Sequence, residues 1–571
     1  MSVPFPDPAP ETGASSLCIP GSDAAAKTWL GRSFKTGLHL FGVLLPGMIA
    51  LFLVLRAFID GNTADVRYGA GVLVLLGLSL CLPRLAGHAR RLTRRARAGL
   101  LVVQLLAVLA VFPLTVVVLI FGKIDMAAFV FHLIFGMDGT PWGDIVPFIA
   151  TAAILWAAIL VTLARVIRMM PARLAAGLAL VMAAGIVAIN PLVHDLLVHR
   201  AHAAFGPART LLPEFREPVI RDAPDRPDLV ILYLEGFERG YLDAARFGPI
   251  AAPLAELERQ GIAFTDVRQI EGTGWSLAGT TATQCGAPLL PFGARPLGDT
   301  SSIRLILPEV TCLTDILAAR GYDITYMSGA KIVGNQMGYY GFDNFFSTHG
   351  PAAIKDRDTI PAPRTAGFGP EDWQEWGIFD SELLDGARAH IREKAKADRP
   401  FAVFVATMDT HGPAASISPA CSEDGKPQIR EDMRESVSCV AGLVSRLVAD
   451  LHAEHGPDLR IAVMSDHLNH ASNLTGLLEQ APRTNTVMFL GGATEPSVID
   501  RPASMVDVYP TLLDWLGLLP PDAPRAGLGV SILASEPTLV ERVGNEEMDA
   551  TLRVDTALAA HLWRNADDVT Q

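Results

Sequence analysis

Long apolar segments dominate the first third of the chain. A transmembrane helix needs about 20 mostly apolar residues to cross the hydrocarbon layer, and five segments approach or exceed this length. They are residues 36–58, 68–85, 99–121, 145–167 and 174–193. A further run, 126–137, is roughly half as long as a crossing needs, which favours a helix at the membrane interface. The pattern therefore predicts a five-helix transmembrane domain over 35–193, after a polar tail at 1–34.

Basic residues between these segments set the expected orientation, because arginine and lysine in short loops are retained on the cytoplasmic side. They lie before the first span (Lys27, Arg32, Lys35), between the second and third (Arg84, Arg90, Arg91, Arg94, Arg95, Arg97), and between the fourth and fifth (Arg165, Arg168, Arg173). The other two loops carry Asp60, Asp65, Asp125, Asp138 and Asp144. We therefore expect a cytoplasmic N-terminus and place everything after about residue 193 on the outer side.

The apolar pattern changes after a Pro- and Arg-containing stretch at 194–227, which is predicted to be a linker. Short β-branched runs then alternate with longer amphipathic stretches, which is typical of an α/β domain. Buried parallel strands are predicted at 228–234, 324–327, 401–407, 460–464 and 485–490. Helices are predicted at 252–260, 313–320, 380–396, 436–454 and 504–516. We assign this domain to 228–535 and a C-terminal extension to 536–571.

Composition supports a chain divided between lipid and water. Hydrophobic residues make up 50% of the 571 residues, and the mean hydropathy of +0.31 is too high for a wholly soluble protein. The formal net charge of −13 is carried mostly by the second half of the chain. Since binding to a nucleic-acid backbone needs a basic surface, we expect no nucleic-acid partner.

Cysteine usage fits an outer domain. Cys285, Cys312, Cys421 and Cys439 all follow the linker, an even number in a compartment where disulfides persist. Four cysteines allow three connectivities, and we favour the sequence-local pairs, Cys285 with Cys312 and Cys421 with Cys439. Four buried thiols are the alternative.

Polar side chains follow three of the predicted strands. Glu235 follows the first strand, Asp409 and His411 follow the third, and Asp466 and His467 follow the fourth. Ligand sites of open parallel sheets lie beyond the carboxyl ends of the strands. Carboxylates and an imidazole from these ends can supply mixed oxygen and nitrogen ligands to one divalent ion. An Asp-His pair of this kind, taken alone, is more often a helix cap beside a surface histidine than a metal site.

Glycines surround Ser276 in the segment 271–279, EGTGWSLAG. They allow a tight turn, after which a helix can begin near Ser276. A hydroxyl at a helix N-terminus lies in a positive field, which suits a phosphate group and lowers the cost of forming an alkoxide. An ordinary N-cap serine fits the same spacing.

Seven motifs occur in an order that carries a family resemblance: GTGWSLAG, TQCGAPL, CLTDILAARGY, GFDNFF, WGIFDSELLD, MDTHGP and SDHL. Together they resemble the alkaline phosphatase and sulfatase superfamily, and within it the lipoteichoic acid synthase and phosphoglycerol transferase group. The resemblance covers about residues 228–518. It implies an α/β/α domain with a mostly parallel central sheet, on the periplasmic side of the inner membrane. The C/S-x-P-x-R motif that sulfatases convert to formylglycine matches neither Ser276 nor Cys285, so the resemblance does not extend to sulfatase chemistry.

The resemblance also implies a metal site. Glu235, Asp466 and His467 would bind one divalent cation, Mn²⁺ or Mg²⁺, and Ser276 would complete the coordination and act as the nucleophile. The group usually has threonine where this chain has Ser276, and metal coordination lowers the pKa of either hydroxyl. Other hydroxyls of the segment stay open as alternatives: Thr273, Thr280 and Thr281.

Three further residues are expected to contact substrate because of the same resemblance. His411 matches a histidine that holds the phosphoglycerol headgroup, Trp376 lies in a shared segment that reaches the pocket, and Lys331 replaces a phosphate-binding arginine. A strand-end cap is the alternative for His411, and a core aromatic is the alternative for Trp376. His470, near the metal pair, is interpreted as a bystander.

The implied activity is transfer of phosphoglycerol from phosphatidylglycerol to sugar hydroxyls of osmoregulated periplasmic glucans, through a phosphoglyceryl-serine. Related headgroup transferases, which move phosphoethanolamine or extend polyglycerol phosphate, use the same residue types, as does a phosphodiesterase. A catalytically silent membrane sensor is the alternative outside enzymes. Such a chain would be expected to lack at least one of Glu235, Ser276, Asp466 and His467, and all four are present.

Overall fold

The structure, a computed structural model, describes the membrane region in part and most of the globular region. The described residues are 49, 51–52, 93–121, 127–129, 131, 142–169, 171–188, 190, 209–290, 305–332, 341–350, 352–360, 377–412, 415–430, 432–470, 472–492 and 495–564. Chain contacts divide the protein into two compact units, of which the larger contains Ile186–Gln571.

Three apolar helices coincide with the last three predicted spans. They are α1 (Arg94–Phe121), α2 (Trp142–Met169) and α3 (Ala172–Ala188). By length and composition, α1 and α2 can cross a membrane, and α3 is a shorter apolar helix. The first two predicted spans lie outside the described residues, apart from residues 49, 51 and 52. The chain therefore has a membrane-embedded N-terminal region, in which the predicted count of five helices stays a prediction.

A large mixed sheet forms the centre of the globular region. The strands among the described residues are β1 (Leu229–Leu234), β2 (Ile262–Arg268), β3 (Asp323–Ser328), β4 (Ala353–Lys355), β5 (Phe401–Ala406), β6 (Ala415–Ile417), β7 (Gln428–Arg430), β8 (Arg460–Ser465), β9 (Asn485–Leu490), β10 (Ser497–Ile499), β11 (Ala503–Ser504), β12 (Arg525–Ala526) and β13 (Gly529–Val530). The main sheet has the order β10-β2-β9-β8-β1-β5-β3-β4, and β11 also pairs with β2.

Most neighbours in this sheet are parallel, as predicted, but β9 is not. It runs antiparallel to both β8 and β2, so the prediction of a parallel strand at 485–490 is wrong. A parallel connection needs a long crossover that returns the chain to the opposite edge of the sheet. Among its described residues, the connection from β8 to β9 contains one turn of helix, Thr475–Leu478, and β9 starts at the edge where β8 ends.

Helices cover both faces of the sheet. They are α4 (Ala244–Phe247), α5 (Ala252–Glu258), α6 (Ser276–Cys285), α7 (Leu313–Ala319), α8 (Phe342–Thr348), α9 (Asp380–Lys394), α10 (Met433–His455), α11 (Thr475–Leu478), α12 (Met505–Trp515), α13 (Leu539–Val543), α14 (Asn545–Leu552) and α15 (Thr556–Leu562). The five predicted helices of this region correspond to α5, α7, α9, α10 and α12.

Alternate residues of β1 point into two separate cores. Ile231 and Tyr233 join a cluster that contains side chains of α6, α7, α12 and the C-terminal helices α13–α15. Val230 and Leu232 join a second cluster with side chains of α5, α9 and α10. Helix α10 is also long and apolar enough to span a membrane, but its apolar side chains form part of this second core. The α/β/α layering is therefore confirmed.

Both predicted disulfides form, Cys285–Cys312 and Cys421–Cys439. The first joins the last residue of α6 to the residue that precedes α7. The second joins a short turn after β6 to α10. The sequence-local pairing is confirmed, and α6 is covalently tied to a neighbouring helix on its face of the sheet.

Candidate metal site and nucleophile

Three strand-end residues converge at the carboxyl edge of the sheet. Glu235 follows β1, and Asp466 and His467 follow β8, the strand paired with β1 in parallel register. His467 Nε2 lies 3.3 Å from Glu235 Oε1 and 3.4 Å from Asp466 Oδ2. One ligand atom from each residue lies within 4.8 Å of the others, and all three residues are buried. The sheet register thus assembles the group that the sequence predicted as metal ligands.

Backbone hydrogen bonds orient Asp466 and His467. Asp466 Oδ1 accepts the backbone N–H groups of Gly236 at 2.9 Å and of His467 at 2.8 Å. The His467 Nδ1–H donates to the carbonyl of Leu468 at 2.8 Å. This bond fixes the imidazole tautomer, since a carbonyl can only accept. Nε2 is therefore the ring nitrogen that faces the two carboxylates, and it would bind a metal once its proton is displaced.

Ser276 is the first residue of α6, and its hydroxyl turns away from its own helix. Trp275 is the N-cap, with no side-chain bond to the helix. The Ser276 hydroxyl donates to Glu235 Oε2 at 3.2 Å and lies 3.3 Å from His467 Nε2. Glu235, Asp466 and His467 are called the ligand cluster below. The alternative of an ordinary capping serine does not describe this geometry, because the Ser276 hydroxyl contacts the ligand cluster instead of its own helix.

Two of the alternative hydroxyls have backbone partners. Thr273 donates to the carbonyl of Ile270 at 2.7 Å, and Thr281 donates to the carbonyl of Leu277 at 2.8 Å. Both side chains are fully buried. Bonds of this type stabilise the turn and the helix, whereas the Ser276 hydroxyl contacts Glu235 and His467.

Gly279 explains how α6 approaches the strand end so closely. A Cβ at this position would lie 1.6 Å from the carbonyl oxygen of Asp466. Any side chain would push α6 away from β8, because that oxygen belongs to the backbone and cannot rotate aside. The glycine of the GWSLAG motif therefore sets the distance between Ser276 and the ligand pair.

Electrostatics of the cluster suit a cation. Burial and the charge of Glu235 raise the pKa of Asp466 to about 7. Burial opposes a charge on His467, but Asp466 and Glu235 raise its pKa to about 9. Burial also works to raise the pKa of Glu235, yet the nearby imidazoles of His467, His411 and His470 lower it. Two carboxylates, an imidazole lone pair and a hydroxyl form a donor set that fits a divalent cation, which would replace the protons held between them.

Two further histidines lie beside the cluster. His411 follows β5, and its Nδ1–H donates to the carbonyl of Gly412 at 2.7 Å. The ring of His470 lies 4.6 Å from the ring of His467 and 6.4 Å from that of His411, centroid to centroid. His470, interpreted from the sequence as a bystander, thus lies near both of the other histidine rings. Its three-residue spacing from His467 was the only sequence signal for this placement.

The structure does not bring the other two residues that were expected to contact substrate, Lys331 and Trp376, to the ligand cluster in its described part. Among the described residues, the Lys331 Nζ forms its ion pair with the carboxylate of Asp358, at 3.3 Å, and not with the ligand cluster. Trp376 lies outside the described residues.

An aromatic contact links Trp275 to the segment between α1 and α2. Residues 127–129 and 131 are helical, within the run predicted as an interfacial helix. Phe131 is fully buried, and its ring centroid lies 5.8 Å from that of Trp275. The residue directly before Ser276 therefore packs against a segment that neighbours the membrane helices.

Comparison with known proteins agrees with this arrangement. The family model named Sulfatase matches residues 227–518, just over half of the chain. The chain belongs to this family. The match covers the sheet, α6, Ser276 and the three residues Glu235, Asp466 and His467.

Among curated proteins, the chain is similar to phosphoglycerol transferase I of Xanthomonas campestris pv. campestris, with 31% identity over 486 residues, 81% of this chain and 64% of that protein. It is also similar to phosphoglycerol transferase I of Escherichia coli O127:H6, with 29% identity over 312 residues, 53% of this chain and 39% of that protein. The chain thus spans less than two thirds of the length of these relatives. A solved alkaline phosphatase superfamily protein from Vibrio parahaemolyticus aligns with 20% identity over 65% of this chain and 97% of that chain, at a TM-score of 0.44.

Proposed function

We propose that the chain is a membrane-bound phosphoglycerol transferase that takes phosphoglycerol from phosphatidylglycerol and transfers it to sugar hydroxyls of periplasmic glucans. The observation that carries the proposal is the Ser276 hydroxyl, 3.2 Å from Glu235 and 3.3 Å from His467. A hydroxyl held among metal ligands at a helix N-terminus is suited to attack a phosphodiester. The similarity to two phosphoglycerol transferases I supports phosphoglycerol as the transferred group.

In the proposed site, Glu235, Asp466 and His467 hold one divalent cation, Mn²⁺ or Mg²⁺, with Ser276 beside them. When bound, the cation lowers the pKa of the serine hydroxyl and neutralises phosphoryl charge. The N-terminus of α6 adds the positive end of its helix dipole at the same place. His411, fixed by its bond to Gly412, binds the headgroup.

The reaction proceeds in two displacements. The Ser276 oxygen loses its proton and forms a bond to phosphorus, while the bond from phosphorus to the diacylglycerol oxygen breaks. Diacylglycerol takes up a proton and stays in the bilayer, and phosphoglycerol remains on Ser276. A sugar hydroxyl then loses its proton to form the new phosphorus–oxygen bond, and Ser276 regains a proton as it leaves.

The proposed topology places this chemistry at the outer face of the inner membrane. The arginine pattern assigns the tail at 1–34 to the cytoplasm and the catalytic domain, 228–535, to the periplasm. The contact between Phe131 and Trp275 supports an active site near the lipid headgroups. Disulfides Cys285–Cys312 and Cys421–Cys439 suit an oxidising compartment.

The test is mass spectrometry of periplasmic glucans from cells that lack the protein and from cells that express it. We expect a glycerophosphoryl increment on the glucan only when the protein is present, and no increment with Ser276→Ala. A phosphoethanolamine increment would instead identify the donor as phosphatidylethanolamine. Release of free glycerol phosphate without glucan modification would identify a phosphodiesterase.

A further inference from the structure

A buried aspartate outside the ligand cluster holds the loop that follows β5. Asp380 is the first residue of α9 and is fully buried. Its Oδ1 accepts the backbone N–H of Met408 at 2.7 Å, and its Oδ2 accepts that of Asp409 at 3.0 Å. In return, the backbone N–H of Asp380 donates to Asp409 Oδ2 at 3.2 Å. The start of α9 and the end of β5 are therefore bonded in both directions.

The same loop contacts the backbone of Glu235 on both of its sides. The Glu235 N–H donates to the Thr407 hydroxyl at 3.1 Å, and the Thr410 hydroxyl donates to the Glu235 carbonyl. Within the same loop, the backbone N–H of His411 donates to the carbonyl of Met408 at 3.0 Å. Residues 407–411 thus form a clamp on Glu235 that also carries His411.

We infer that Asp380 is a positioning residue, which fixes the metal ligand Glu235 and the headgroup-binding residue His411 through this clamp. Both carboxylate oxygens of Asp380 accept backbone N–H groups, so a neutral amide cannot replace it. In Asp380→Asn one acceptor becomes an NH₂ group that faces a backbone N–H, which leaves that N–H unpaired in the interior. Some groups orient a metal ligand by hydrogen bonds without binding the metal themselves. Their removal typically weakens metal affinity by about 10–100-fold.

Asp507 provides a matched control. It is also fully buried, and its carboxylate also accepts two backbone N–H groups, from Ser504 at 2.7 Å and from Val530 at 2.8 Å. It belongs to α12, and its hydrogen-bond partners among the described residues are Ser504, Thr511 and Val530, which lie outside the clamp. Asp507→Asn therefore reproduces the chemical change and the burial without the connection to Glu235.

The experiment measures the Mn²⁺ dissociation constant of the full-length protein in detergent, by electron paramagnetic resonance of free Mn²⁺, together with the thermal unfolding temperature. We expect both variants to unfold at lower temperature, and only Asp380→Asn to weaken Mn²⁺ binding, by about tenfold or more. Thr410→Val, which removes only the hydroxyl bonded to the Glu235 carbonyl, should weaken it by about threefold or more.

The inference rests on the proposed metal site but not on the identity of donor or acceptor. Wild-type protein that binds no Mn²⁺ would overturn the metal site and this inference together. Wild-type binding with an unchanged dissociation constant in Asp380→Asn would overturn the inference alone. If Asp380→Asn does not fold, an unchanged dissociation constant in Thr410→Val overturns it in the same way.

Discussion

Two serines at the starts of two neighbouring helices differ in their hydroxyl partners, and this difference underlies the different roles that we propose for them. Ser504 is the N-cap of α12, and both its N–H and its hydroxyl donate to Asp507 Oδ2, at 2.7 and 2.9 Å. Ser276 begins α6, which packs against α12, but its hydroxyl reaches Glu235 and His467 instead. A serine whose hydroxyl bonds within the first turn of its own helix stabilises the fold. One whose hydroxyl joins a cluster from other strands is available for chemistry.

The largest expected effect is a loss of transfer activity when Ser276, but not Ser504, is replaced by alanine. Ser276→Ala should lower transfer from headgroup-labelled phosphatidylglycerol by at least about a thousandfold, because the attacking oxygen is removed. Its thermal unfolding should change little, since the hydroxyl does not stabilise its helix. Ser504→Ala should retain transfer. Turnover of Ser276→Ala within about tenfold of wild type would contradict the assignment.

Removal of the metal should have the next largest effect on transfer activity. It should affect the site beside Ser276 and not the start of α12 at Ser504. Dialysis of the full-length protein against a chelator is expected to abolish transfer, and added Mn²⁺ or Mg²⁺ should restore it. At a cation concentration of about 100 times the dissociation constant, binding should stabilise the fold by about 2.7 kcal/mol. Full activity of a chelated protein without detectable metal would exclude the ligand role of Glu235, Asp466 and His467.

The start of α12 should make the stability of the protein depend on pH, through the buried carboxylate of Asp507. Burial raises the pKa of Asp507 to about 6, from an ordinary value of 3.8. Because the folded state holds this proton more tightly, the stabilisation from Asp507 is complete below about pH 4 and is lost as the pH rises through about 6. The shift corresponds to about 3 kcal/mol. Unfolding of wild type and Asp507→Asn, compared at about pH 4 and pH 7, should show wild type losing this amount relative to the variant. Parallel pH profiles for both proteins would contradict the prediction.

The smallest expected effect concerns the capping hydroxyl. Ser504→Ala should lower the free energy of unfolding by about 1 kcal/mol, the usual cost of losing an N-cap side chain. Denaturant unfolding of the full-length protein measures it. A loss of transfer without a loss of stability would reverse the comparison between Ser276 and Ser504.

Much of the fold was predictable because its signals are local. The apolar runs of β1, β5 and β8 are short and β-branched, and buried strands of parallel sheets have this pattern. The direction of β9 was not predictable, since it depends on the length and course of the 466–484 connection. The strand β2 was missed because Ile262–Arg268 carries polar residues in its second half.

The ligand cluster was predictable in outline for a physical reason. Parallel neighbours end at the same edge of a sheet, so Glu235 and the Asp466–His467 pair had to lie close together. What the sequence did not show is long-range: the approach of His470 to His411, and the bonds from Asp380 to the loop that clamps Glu235. These contacts join residues that are far apart in the chain or that lie on separate loops. No local sequence pattern indicates how close such residues come in the folded protein.

The most direct test of the central claim is intact-protein and peptide mass spectrometry after the purified full-length protein is incubated with phosphatidylglycerol and no acceptor. The account predicts one glycerophosphoryl group on the peptide that contains Ser276, absent in Ser276→Ala and lost when acceptor glucan is added. A modified residue elsewhere, or transfer to glucan with no covalent protein species at any time, would contradict it.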